Sequence, residues 1–160
     1  MDPKRMARYA RIYEQLRALI KEKSPTCVAA MATICAVLHA KMPHHSWTGF
    51  YFVAGDDELH VGPYQGPVAC QILKGQGVCL EAVRRDAPII VADVGGFPGH
   101  IACDARSRSE LVVPIHGRRP AEVVAVFDVD STRTSMFGEK DIAPLEEILS
   151  LLRPLIGEGR

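Results

Sequence analysis

An α+β domain, with helices segregated from a mainly antiparallel sheet, is the fold class this sequence predicts. Apolar residues recur at helical spacing at both ends of the chain, β-branched and aromatic residues alternate with a period of two between them, and turn residues concentrate between positions 65 and 110. A chain of 160 residues with 48% hydrophobic and 24% charged residues supplies one core of ordinary size. The expectation is a single domain over 1–160, with helices in 1–44, sheet and loops in 45–137 and a closing helix in 138–160.

Met6, Tyr9, Ile12, Tyr13, Leu16, Leu19 and Ile20 recur at three- and four-residue spacing and predict an amphipathic helix. Ser24 followed by Pro25 predicts an N-cap with proline at the first helical position. Val28, Met31, Cys35, Leu38 and Met42 then mark one face of a second helix, which Pro43 closes. Trp47 to Val53 and Leu59 to Tyr64, joined by Gly55-Asp56-Asp57, predict a hairpin. Pro88 to Val91, Leu111 to Ile115 and Val123 to Val129 read as further strands, and Val78 to Arg84 as a short helix. Ile142, Leu145, Ile148, Leu149, Leu152 and Leu155 give the closing helical stripe, where Pro144 is tolerable if Asp141 is the cap.

Lysine plus arginine equals aspartate plus glutamate at 19 each, so the chain carries no electrostatic footprint for nucleic acid or an anionic membrane. The longest weakly polar stretch, Cys27 to Ala40, is too short to cross a bilayer, and the N-terminus does not read as a secretory signal. A cytoplasmic location is the default expectation. Thiols stay reduced there, so the five cysteines predict transient chemistry rather than a stabilising framework.

Cys27 and Cys35 read as packing residues of the second helix, whereas Cys70, Cys79 and Cys103 share the loop-rich middle. Cys103 follows a Pro98-Gly99 turn and has His100, Arg106 and Arg108 near it, which would favour thiolate. The alternative is an ordinary cysteine with basic neighbours. Cys79 opens a possible helix, where the dipole favours thiolate, but Val78, Leu80 and Val83 suit a buried position equally well. A nucleophilic thiol with a second thiol in reach can cycle through sulfenate to disulfide.

Alternation along Val123 to Asp130 puts Val126, Asp128 and Asp130 on one strand face and Ala125, Phe127 and Val129 on the other. Two carboxylates in a partly buried site would raise one pKa and make it a proton donor, or would hold an ammonium group. The alternative has Asp130 and Ser131 already in a solvated turn. Glu110 either joins them or is a strand-end surface charge. Trp47, Gly49 and Tyr51 share a face, so the rings either enclose a small apolar or cationic group or simply form core. No second cysteine-histidine pair has structural-site spacing beside His100 and Cys103, so no metal is expected, and no phosphate loop or serine elbow is present.

Taken together, Trp47-Thr48-Gly49-Phe50-Tyr51, Gly62-Pro63-Tyr64-Gln65-Gly66, Val68-Ala69-Cys70, Gly77-Val78-Cys79, Phe97 to Asp104, Ser109 to Ile115 and Asp128-Val129-Asp130 carry a resemblance. The sequence resembles the free methionine-(R)-sulfoxide reductases, which are built on a GAF domain, from about Trp47 to the C-terminal helix. It departs from them at Leu80, where the family tends to have glycine, and in a shorter interval between Cys70 and Cys79.

The resemblance implies that Cys103 is the catalytic cysteine, Cys70 its disulfide partner and Cys79 an auxiliary or second resolving thiol. It further implies that Glu110, Asp128 and Asp130 bind substrate opposite an aromatic wall of Trp47 and Tyr51. The activity implied is reduction of free methionine-(R)-S-oxide, with no bound cofactor and thioredoxin as external reductant. A non-catalytic GAF sensor and a general thiol redox sensor are the competing readings. A homodimer through the N- and C-terminal helices is an expectation by analogy.

Overall fold

The structure is a computed structural model that describes residues 3–99, 104–119 and 122–157. In chain order the elements are α1 (Pro3–Lys23), α2 (Cys27–Lys41), β1 (Trp47–Gly55), β2 (Glu58–Gln65), β3 (Ile72–Lys74), α3 (Val78–Arg85), β4 (Ile89–Val91), β5 (Ser109–His116), β6 (Val123–Ser131) and α4 (Glu139–Leu149). Short 3-10 turns cover Val94–Gly96 and Ser150–Leu155. The strands form one antiparallel sheet in the order β3-β2-β1-β6-β5-β4.

Strand alternation divides the apolar residues between the two sheet faces. Phe50, Ala125, Phe127 and Val129 point to one face, where Tyr9, Ile12 and Leu16 of α1, Ile34 and Leu38 of α2, and Leu145 and Ile148 of α4 cover them. Phe50 and Phe127 meet at this centre with ring centroids 5.0 Å apart, a tilted contact that adds to their burial. Arg5 and Tyr9 of α1 both reach Asp141 of α4, the guanidinium at 2.8 Å and the phenol donating at 3.0 Å, so the terminal helices are tied by a polar clasp as well as by packing. The opposite face carries Trp47, Tyr51, Val112 and Val126 and is partly covered by Val78, Cys79, Leu80 and Ala82 of α3. The helices are thus segregated as the sequence predicts, and the face left to the short α3 is where the site forms.

Three local expectations are corrected, and one strand is additional. The α2 N-cap is Thr26, whose extended backbone lets its hydroxyl accept from Ala29 N at 3.2 Å. Ser24 still bonds back to Ile20 O at the end of α1, and a residue before proline resists continuing a helix, so Ser24-Pro25 is the link between helices. Val28 is half exposed, at the border of the buried face of Ala30, Met31, Ile34, Cys35 and Leu38 in the first turn. The α4 cap is Gly138 rather than Asp141. Asp141 lies in the first turn, its carboxylate accepting from Gly138 N at 2.9 Å, and Pro144 consequently falls inside the helix, where it forfeits one intrahelical bond. β3 has no counterpart in the sequence reading, because three residues are too few to show a period.

No helix among the described residues is long and apolar enough to cross a membrane.

Candidate functional site

Register aligns the carboxylates of β5 and β6 with the aromatic side of β1. Glu110 of β5 faces Asp130 of β6, which faces Trp47 of β1, and in the next row Val112 faces Asp128, which faces Gly49. Each row runs perpendicular to the strands, so residues far apart in sequence present their side chains side by side. Asp130 lies within β6 rather than in a turn, and Glu110 joins the two aspartates instead of remaining a strand-end charge.

These carboxylates line a cavity with Trp47, Tyr51 and Cys79, closed on one side by Pro67 to Ala69. Glu110 is 5% exposed and Asp128 6%, a degree of burial that disfavours two separate negative charges. Burial is the leading cause that pushes both carboxyls well above their ordinary range; for Glu110 the charge of Asp128 and then of Asp130 adds to it, for Asp128 that of Asp130, and a hydrogen bond joins the pair. Asp130 rises less, to about 6, because a bond from the Ser107 hydroxyl opposes the effect of its burial. The site therefore disfavours charge on the inner pair, and Asp130 ionises more readily than either of them.

Cys79 points its thiol at Asp128, Sγ to Oδ2 3.5 Å. Burial and then the charges of Asp128, Glu110 and Asp130 hold this thiol well above its ordinary range, which outweighs the favour of its place in the first turn of α3. Cys79, Glu110 and Asp128 offer one thiol and two carboxylates within 4.8 Å of one another. An ion at that place would have to displace protons these groups hold tightly. Cys27, Cys35 and Cys79 are free thiols, and Cys70 is disulfide-bonded. Tyr51 donates from its phenol to the Cys70 carbonyl at 3.1 Å, connecting the rigid central strand to the loop that carries this residue. Cys103 and His100 lie outside the described residues.

The aromatic wall differs from the spacing argument in one respect. Trp47 and Tyr51 are stacked directly, with centroids 5.7 Å apart and planes at 25°, so no group fits between them. The Trp47 indole lies across Gly49, where a Cβ would come within 2.3 Å of its outer ring carbon. Tyr64 of β2 extends the stack on the far side of Trp47 at 5.4 Å and 19°. The chain turns away at Gly66, whose φ of +120° and 2.8 Å approach of a notional Cβ to Ser46 O demand glycine.

Two contributors escaped the sequence reading. Tyr64 pairs with Gly49 across β1 and β2, so hairpin parity could have found it. Ser107 left no signal, because its role depends on a turn that brings its hydroxyl to Asp130.

The GAF domain family matches residues 28–156 of the chain. A free methionine-R-sulfoxide reductase of Escherichia coli (strain K12) is 36% identical over 149 residues, which is 92% of this chain and 88% of that protein. The Saccharomyces cerevisiae protein of the same name is 40% identical over 110 residues, 67% of this chain and 61% of its own. The X-ray structure of the free methionine-R-sulfoxide reductase from Neisseria meningitidis, in complex with its substrate, superimposes with a TM-score of 0.84 at 35% identity, covering 91% of this chain and 86% of that one. In sequence and in fold, with these carboxylates and this aromatic stack on the face its helices leave open, the chain belongs to the GAF domain family and, within it, to the free methionine-R-sulfoxide reductases.

Proposed function

We propose that the protein reduces free methionine-(R)-S-oxide to methionine with Cys103 as nucleophile. The observation that carries this reading is the buried carboxylate row of Glu110, Asp128 and Asp130 beneath an aromatic wall, where burial favours the protonated form of Glu110 and Asp128 and Asp130 is easier to ionise. A sulfoxide reductase needs those two things: an acid for the oxygen that leaves, and an anion for the amino group that only the free amino acid presents.

In the first step the Cys103 thiolate attacks the sulfoxide sulfur while Glu110 or Asp128 delivers its proton to the sulfoxide oxygen. In the resulting adduct the oxygen passes to Cys103 Sγ as its bond to the substrate sulfur breaks. The new S–S bond breaks with its electron pair going to the substrate sulfur, methionine leaves and Cys103 is left as a sulfenic acid. The Cys70 thiolate then attacks that sulfur, expelling water and forming the Cys103–Cys70 disulfide. That Cys70 is engaged in a disulfide while Cys79 keeps its proton supports Cys70 as the resolving thiol. An external dithiol, thioredoxin in the cytoplasm, reduces the disulfide, and no bound cofactor takes part. Asp130 holds the substrate ammonium, and Trp47 and Tyr51 face the S-methyl group and set the epimer.

The test uses reduced protein, dithiothreitol and, separately, the R and S epimers of free methionine sulfoxide, with methionine quantified and Cys103→Ser as control. Methionine from the R epimer alone, abolished by the substitution, is the expected result. No turnover by folded, fully reduced protein leaves a GAF module that binds without chemistry, and equal turnover of hydrogen peroxide points to a general thiol redox sensor.

A further inference from the structure

Residues 104–107 form a turn closed by Ser107 N donating to Asp104 O at 3.0 Å, with the Asp104 carboxylate accepting from Arg106 N at 3.0 Å. The turn is fastened to β6 at two consecutive residues. Arg108 N donates to Ser131 O at 2.7 Å, and one residue earlier the Ser107 hydroxyl donates to Asp130 Oδ1. Ser107 is 8% exposed and lines the same cavity as Asp130, so water does not readily replace it.

Among the described residues, the groups that act on Asp130 bring it no positive charge, and Arg106 on the turn is paired with Asp104. Asp104 on the turn, Glu110 on β5, Asp128 on its own strand, Cys79 on α3 and Tyr51 on β1 are acidic or neutral, and Trp47 is the neighbour across β1. Among the described residues the side-chain donor to Asp130 is the Ser107 hydroxyl. A hydroxyl that donates to a carboxylate favours its charged form and fixes its plane, here by occupying Oδ1 and leaving Oδ2 to the cavity.

We propose that Ser107 is a positioning residue for amino-group recognition: its hydroxyl holds the Asp130 carboxylate charged and oriented so that Oδ2 grips the ammonium of a free amino acid. This rests on the reading of Asp130 given above and adds the residue that sets its pH range. Burial raises Asp130 and the negative Asp104 adds to it, whereas the Ser107 bond works against both and leaves the group at about 6. The sign follows: removing the donor raises that value, so the ammonium loses its partner at a higher pH.

The experiment compares wild type, Ser107→Ala and Ser107→Thr between pH 5.5 and 8.5 with free methionine-(R)-S-oxide. Binding is read from quenching of Trp47, the chain's single tryptophan, and turnover from methionine release under dithiothreitol. In Ser107→Ala the acid limb of binding should move up by about one pH unit, weakening affinity roughly threefold at pH 6.5 and approaching tenfold at about pH 5.5, and KM should change more than kcat. Ser107→Thr, which keeps a hydroxyl, should return the limb to its original place. A limb that does not move, or a loss of activity equal at every pH, overturns the inference in favour of a purely structural serine, as does the absence of any quench in wild type. If wild type binds with the expected pH dependence but releases no methionine, the reductase reading falls and the role of Ser107 stands.

Discussion

Cys79 donates its thiol proton toward Asp128, Sγ to Oδ2 3.5 Å, and so behaves as a hydrogen-bonding partner of the acid row rather than as a thiolate. Its burial and the three surrounding carboxyls all oppose ionisation. Cys79 should therefore resist alkylation in the native protein at pH 8, with a rate roughly 100-fold or more below that in urea. Peptide mapping after timed iodoacetamide treatment checks this, and equal labelling in the two conditions contradicts it.

Glu110 and Asp128 are held together at the expense of stability. A carboxyl raised in the folded state binds its proton more tightly there than in the unfolded chain, so its contribution is full at low pH and is lost as pH rises through the folded value. For Asp130 that loss falls between its ordinary value near 3.8 and about 6. Glu110→Gln removes one of the three groups and should raise Tm at pH 7.5, each kcal/mol gained being worth roughly 2–4 °C in a domain of this size. The same substitution should lower kcat roughly 100-fold, since general acid catalysis commonly contributes at least that much. Calorimetry and initial rates on one preparation read both effects, and a lower Tm contradicts the first.

Tyr51 joins a central strand to the Cys70 loop through one bond at 3.1 Å. Tyr51→Phe keeps the ring against Trp47 but releases the loop once the disulfide is open. The ratio of disulfide formation to methionine release should fall roughly tenfold, the equivalent of about 1.4 kcal/mol in placing the resolving thiol. Dimedone trapping of the accumulated sulfenic acid, followed by mass spectrometry, measures it. An unchanged ratio shows that the bond does not position Cys70.

Gly49 carries the Trp47 indole across its backbone, and the space for a Cβ is occupied at 2.3 Å by that ring and at 2.5 Å by Tyr64 Cβ. Gly49→Ala should displace the indole, costing about 1–3 kcal/mol of stability and raising KM. Denaturant titration and steady-state kinetics check the two outcomes, and a variant with wild-type stability would mean the stack gives way freely.

The layered plan was legible because it follows from periodicity: the alternation from Ala125 to Asp130 already separated Phe127, destined for the helices, from Asp128, destined for the cavity. The long stripes of α1 and α4 were equally plain. What escaped was determined by two or three residues or by tertiary contact. Thr26 rather than Ser24 caps α2 because a proline lies between them, and β3 is too short to announce itself. Glu110 was undecidable by itself, since only the register with Asp130 brings it into the row, and the place of Ser107 depends on a turn no local pattern encodes.

The sheet ends on both sides in strands of only three residues, β3 next to the Cys70 loop and β4 next to the Val94–Gly96 turn. Such stubs expose few unpaired amides and carbonyls, too few to template a strand from another molecule. The loop beside the cavity and the edge strand itself can consequently display apolar residues, Val68 at 81% and Ile72 at 52% exposure, with little backbone for edge-to-edge pairing. Short margins thus limit how far either outermost strand could carry the sheet on into a neighbouring copy.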